Sequence, residues 1–145
     1  MTNVIFLHEP ALSAAEFTDV LQRSGLAERR PVANQDRLKR MLRNADLLIT
    51  ARLRGQLIGV ARALTDFSYA CYLSDLAVDK THQRLGIGRE LLARTHAAAG
   101  PDTILILLAA PAAVDYYPHL GMTNYPSCWT LPGTPRSPTL PATGL

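Results

Sequence analysis

Gln83-Arg84-Leu85-Gly86-Ile87-Gly88 is the stretch on which the reading of this chain turns. It follows an apolar run, Tyr69–Asp79, that reads as a strand. It precedes Ile87, Leu91, Leu92 and Thr95, whose spacing predicts a helix ending before Gly100-Pro101. Glycine lets a backbone approach a ligand closely and adopt conformations other residues avoid. Consecutive N–H groups at a helix start converge on one point, where the helix dipole favours an anion. Arg84 and Arg89 flank the loop and add cationic reach. The expected ligand group is therefore a phosphate. A dinucleotide fingerprint needs a third glycine, and Leu91 stands there; a P-loop ends in G-K-[ST], and Arg89-Glu90 stand there.

Outward from the loop, Thr103–Ala109 (TILILLA) is an apolar run of strand length, which belongs inside a parallel or mixed sheet. Cys71–Ala109 is thus a βαβ unit. Upstream, Asn3–His8 reads as a strand. Ser13 and Glu16 have capping-box spacing, so a helix starts at Ser13, with Gly25 as its C-cap. A second helix follows Asn34. Asp46–Leu53, the turn Arg54-Gly55 and Gln56–Thr65 form a hairpin. Downstream, Pro111–His119 is read as a short helix and Met122–Leu131 as a last strand. The segment 132–145 is proline-rich and is expected to be disordered or loosely packed. The expected order is β-α-α-β-β-β-α-β-α-β over one domain, 1–131.

Composition agrees with one globular domain. The chain has 145 residues, 48% of them hydrophobic and 19% charged, which excludes a disordered chain, a collagen-like repeat and a disulfide scaffold. No apolar run approaches the roughly 18–20 residues of a membrane span, and Met1–Pro10 lacks signal-peptide features, so a cytoplasmic location is expected. The two cysteines, Cys71 and Cys128, read as buried thiols. The net charge of +3 is concentrated in Arg23, Arg29, Arg30, Arg37, Lys39, Arg40 and Arg43, read as one solvated helix face. No aromatics interleave with these charges, so nucleic acid is not expected as a partner. The four histidines show no metal-ligand spacing, and no metal is expected.

Val78, four residues, then Gln83-x-x-Gly86-x-Gly88 resembles the acyl-CoA pyrophosphate loop of the GNAT superfamily of N-acetyltransferases. Tyr116-Tyr117-Pro118-His119-Leu120-Gly121-Met122 resembles that superfamily's F-Y-x-x-L-G-F stretch, and the likeness covers residues 3–131. Val60–Val78 with Cys128-Trp129 resembles a subgroup that includes plant-type arylalkylamine acetyltransferases. The resemblance implies an α/β (α+β) fold: a mixed, mostly antiparallel sheet with a βαβ acyl-CoA-binding unit and flanking helices. It implies acetyl-CoA as cosubstrate. Backbone N–H groups of Gln83, Arg84, Leu85, Gly86, Ile87, Gly88 and Arg89 would hold the pyrophosphate. The pantetheine arm would pair with Leu76, Ala77 and Val78, the Leu76 N–H would face the developing oxyanion, and Tyr117 would approach the CoA sulfur as proton donor. Pro118 departs from the pattern, because proline disfavours helix in the residue before it; Met122 replaces an aromatic.

Asp75, the only carboxylate on the central strand, is the candidate base, and Asp66 the second; which face of the strand lines the cleft stays open. The acceptor site would be built from Ser24–Val32, Thr65–Tyr69 and Tyr125–Trp129. Its basic first segment disfavours polycations, while Phe67, Tyr69 and Trp129 suit a small aromatic or aliphatic primary amine. Three classes stay open: a small-amine acetyltransferase, an enzyme acting on a protein amine or aminoacyl-tRNA, and a CoA-binding module without turnover. Either a monomer or a homodimer is compatible with the sequence.

Overall fold

The computed structural model describes residues 3–133, and the expected tail falls almost wholly outside them. The chain divides into two compact units, Met1–Val114 and Asp115–Leu145. The first contains every strand among the described residues: β1 (Val4–His8), β2 (Leu47–Leu53), β3 (Gln56–Thr65), β4 (Ala70–Val78) and β5 (Ile104–Ile106), side by side in that order. The first four pair antiparallel and β4 pairs with β5 in parallel. Helices α1 (Ala14–Ser24) and α2 (Gln35–Arg43) cover one face, and α3 (Ile87–Ala99) the other. This is the mixed, mostly antiparallel architecture expected.

Local chemistry explains most boundaries. The Ser13 hydroxyl accepts from the Glu16 N–H (3.1 Å), and Gly25 closes α1 at φ +87°. Only half of the capping box forms, because the Glu16 carboxylate turns outward to Arg52 (2.7 Å). The Asn34 side chain caps α2 through the Arg37 N–H (3.0 Å). Arg54 and Gly55 both take positive φ, as a two-residue hairpin turn requires.

Two packed layers result. Phe17, Val20, Leu21, Leu38 and Leu42 bury against Leu48, Leu57, Val60 and Ala77. Ile87, Leu91 and Ala99 bury against Ile49, Ile58, Ala61, Cys71 and Leu73. Gly59 permits the close approach of α3: a Cβ there would lie 3.1 Å from Leu91 Cδ1 and 3.3 Å from Ile87 Cγ2.

Four expectations are corrected. The run Thr103–Ala109 forms a strand only over Ile104–Ile106. It lies at the end of the sheet with Ile104 and Ile106 half exposed, not apolar-packed on both faces. Pro111–His119 is two separate 3-10 turns, Pro111–Ala113 and Tyr117–Leu120. Met122–Leu131 forms no strand; Pro126, within it, offers no ladder donor. Cys71 is buried, but Cys128 is exposed. No helix among the described residues is long and apolar enough to cross a membrane.

Candidate active site

A single extra residue organises the site. The β3–β4 register runs Arg62↔Asp75 and then Ala63↔Leu73, so Ser74 is a bulge in β4. Just before β4, the Tyr69 carbonyl accepts from the Ile104 N–H (2.8 Å) and faces β5; just after it, the Asp79 N–H donates to the Ile58 carbonyl (2.8 Å) and faces β3. Positions 69 and 79 have the same parity, and an unbroken strand would turn both the same way. The bulge reverses the alternation. Beyond it Asp75 and Ala77 face β3, while the backbone groups of Leu76 and Val78 turn to the other edge.

That edge is open. Pairing with β5 ends at Tyr72↔Ile106, so among the described residues no strand covers Leu73–Val78 on that side. The Val78 carbonyl accepts from Gln83 Nε2 (3.0 Å), which ties the strand end to the loop. The bulge also exchanges the faces of the side chains: Leu73 lies in the α3 layer, Ala77 in the α1–α2 layer.

The loop after β4 is anchored from below. The Asp79 side chain accepts from the Thr81 N–H (2.9 Å) and the Thr81 hydroxyl (2.8 Å) and pairs with Arg23. Burial alone would raise the Asp79 carboxyl; the Thr81 bonds and the Arg23 guanidinium outweigh it and hold it below the ordinary aspartate range. Arg23 also donates to the Leu57 carbonyl, fixing the end of α1 to the same junction.

Arg84 then takes φ +65° and Gly86 φ +84°, and α3 begins. Among the described residues no side chain caps this helix start, in contrast to α1 and α2. The first helical bond at the cap runs from the Glu90 N–H to the Gly86 carbonyl (3.1 Å). Among the described residues a Cβ on Gly86 would meet nothing within 4 Å, so the space beside Gly86 is open. Gln83, Arg84, Leu85 and Arg89 are exposed around it, and Ile87 and Gly88 are buried in the α3 layer.

On the α1–α2 face a cavity of about 160 Å³ opens where β4 leaves β5. Leu26 and Arg29 line it from the 3-10 turn Leu26–Arg29 and Arg30 from just after it, Tyr72 and Ser74 from β4, and Leu108 and Ala110 from the segment beyond β5. Behind Arg30 and Ser74 lies an ion cluster. Arg30 Nε and Arg62 Nε each hold one oxygen of Asp75, whose side chain is fully buried. Arg30 Nη2 donates to the Ser74 carbonyl (2.7 Å), and Arg62 Nη2 to the Ser74 hydroxyl (2.9 Å). The bulge residue is thus held by both guanidiniums. This answers which face Asp75 takes, and it shows both of its oxygens already engaged.

Sequence reasoning placed Arg30 in the acceptor segment Ser24–Val32 but missed its pairing with Asp75, and it missed Arg62. A signal for Arg62 was present: a cation among Ala61, Ala63 and other strand residues that bury must find a countercharge. Asp66 organises a turn instead. Its Oδ1 accepts from the N–H groups of Ser68, Tyr69 and Ala70 at 2.8–3.0 Å, and these bonds lower its carboxyl. Phe67 and Tyr69 are exposed. No three His, Cys, Asp or Glu among the described residues cluster as metal ligands.

In the second unit, Tyr117 is half-buried beside Tyr116, their rings edge to face at 5.3 Å. Burial and the neighbouring Tyr116 push the Tyr117 hydroxyl above its ordinary value of 10.0. Pro118 does not end a helix here. It lies in the first turn of Tyr117–Leu120, where a missing N–H costs no helical bond. Trp129 is 91% exposed.

Comparison with known proteins places this geometry. A family model described as "Acetyltransferase (GNAT) domain" matches residues 17–127. A GNAT-family acetyltransferase from Streptococcus pneumoniae TIGR4 superposes with a TM-score of 0.73 at 16% identity, covering 92% of this chain and 99% of that one. A Staphylococcus aureus protein gives 0.75 at 18% identity, over 90% and 98%. An aminoglycoside acetyltransferase from an uncultured soil metagenomic sample, solved with sisomicin, gives 0.68 at 18%, over 93% and 98%. At these identities the structures show a shared fold. No curated protein matches the sequence.

Proposed function

The chain belongs to the GNAT acetyltransferase family, and from that premise we propose that it transfers an acetyl group from acetyl-CoA to a primary amine within a ternary complex. The observation that carries this reading is the pairing of an open strand edge, Leu76–Val78, with an uncapped helix start at Gly86 on the same βαβ unit. Bound acetyl-CoA supplies the thioester whose carbonyl carbon the amine attacks.

The residues present fit such a molecule. The N–H groups from Gln83 to Arg89, with the dipole of α3, suit a pyrophosphate, and Arg84 and Arg89 add charge. The outward backbone of Leu76 and Val78 suits an extended amide-bearing arm. The Leu76 N–H is the donor we assign to the carbonyl oxygen as it gains negative charge. Tyr117, by its match to the family motif, is the donor for the departing thiolate. Burial raises this hydroxyl above its ordinary value, so it carries its proton at neutral pH.

Asp75 takes a positioning role in this reading. With a guanidinium on each oxygen it holds Arg30, Arg62 and the Ser74 bulge, and through the bulge it aims Leu76. The amine proton then leaves to water. The cavity beside Tyr72 and Ser74 is the acceptor site. Of the basic segment, Arg23 and Arg30 turn inward to Asp79 and Asp75, which leaves Arg29, Arg37, Lys39, Arg40 and Arg43 exposed for a larger anionic acceptor such as an aminoacyl-tRNA, the second reading.

The test is CoA release with a panel of primary amines, comparing the wild type with Tyr117→Phe. The reading expects the variant to lose about 10²-fold or more in kcat, within the range of general acid catalysis. Its KM for acetyl-CoA should be nearly unchanged. Full activity in Tyr117→Phe would remove the tyrosine from the chemistry.

A further inference from the structure

The cavity on the α1–α2 face is lined by Arg29 and Arg30 and backed by an ion cluster in which, among the described residues, cations outnumber acids. One carboxylate, Asp75, answers two guanidiniums, Arg30 and Arg62. Arg30 is one-fifth exposed and Arg62 is buried, so water screens the surplus only in part. Arg29 adds a further cation at the lining, and among the described residues no hydrogen bond or ion pair engages its guanidinium. Among the described residues no acidic side chain lines the cavity.

We infer that the acceptor is an amine bearing its own carboxylate, an amino acid or close analogue, and that Arg29 binds that carboxylate. The inference deepens the transferase reading and rests on it for the identity of the site as an acceptor site. The planar guanidinium fork matches a carboxylate in shape and charge. The cavity's roughly 160 Å³ gives room for a carboxylate and a short arm. Leu26, Tyr72 and Leu108 offer that arm an apolar wall. The same surplus charge disfavours a protonated amine in the cavity, so it favours the neutral, attacking form without a carboxylate base. It also penalises polycationic acceptors.

Binding rather than turnover tests this directly. With CoA present, the protein is titrated calorimetrically with alanine, alaninamide and ethylamine, and with phenylalanine, phenylalaninamide and phenethylamine. The acid of at least one trio should bind about tenfold or more tighter than its amide or amine, as a charge-assisted bidentate contact implies. Arg29→Gln should abolish the preference and Arg29→Lys should restore part of it; Arg29 is exposed, so both variants should fold. Equal or tighter binding of the amides or amines, no detectable binding of either acid, or an undiminished preference in Arg29→Gln would each overturn the inference. A parallel titration with acetyl-CoA separates the two readings. Acetyl-CoA binding without acid preference removes only this inference. Acid preference without acetyl-CoA binding removes the transferase reading.

Discussion

The protein builds two ionic trios with opposite balance. In one, Arg52 is held between Glu9 and Glu16, one cation against two acids. In the other, Asp75 is held between Arg30 and Arg62, one acid against two cations. The first lies where its surplus charge reaches water: the side chains of Glu9 and Glu16 are 23% and 45% exposed. The second has a fully buried centre and a cavity on its flank. A surplus charge facing water is hydrated and needs nothing more. A surplus charge beside a cavity is an incomplete arrangement that a ligand can complete.

Removing the central residue of each trio separates them most sharply. Asp75→Asn leaves two inward-facing guanidiniums without a countercharge and should cost about 3–5 kcal/mol in urea unfolding. Arg30→Met should cost clearly less, because the pair that remains, Arg62 with Asp75, is balanced. Equal losses in the two variants would mean that the surplus is not felt. Arg52→Met should cost about 1–2 kcal/mol, shrinking in high salt, since its partners are partly solvated.

Acid unfolding gives a smaller effect with a defined sign. The Arg52 guanidinium holds the Glu9 carboxyl below its ordinary value of 4.5, and Asp79 is likewise held below 3.8. A carboxyl whose folded pKa is depressed contributes stability above its unfolded value and loses it as pH falls through the folded one. Unfolding free energy should therefore be flat from pH 7 to about 5 and fall below 4.5, and Glu9→Gln should flatten part of that slope.

The sequence made the periodic elements legible and the irregular ones not. Ser13, Gly25, Asn34 and the Arg54-Gly55 turn are local signals, and each stands where it was read. The Gly86 loop is local too, and the positive φ of Arg84 and Gly86 falls within the stretch read as a glycine loop. The Ser74 bulge was invisible, because a bulge is set by pairing between strands that no single strand's pattern records. Without it, neither the outward aim of Leu76 nor the inward aim of Asp75 follows from alternation. Thr103–Ala109 misled for the same reason: its apolar run continues, but its partner strand diverges after Tyr72. Arg30 was hidden among surface cations because its partner is 45 residues away.

The central claim is that the loop from Gln83 to Arg89 receives the pyrophosphate of acetyl-CoA, and calorimetric titration of the wild type and Gly86→Glu with acetyl-CoA tests it most directly. A glutamate there must adopt φ +84°, which L side chains rarely take, and brings a negative charge to the open front of α3. The account predicts stoichiometric binding by the wild type and none by the variant, with circular dichroism showing the variant folded. Absence of binding by the wild type, or undiminished binding by a folded Gly86→Glu, would contradict it.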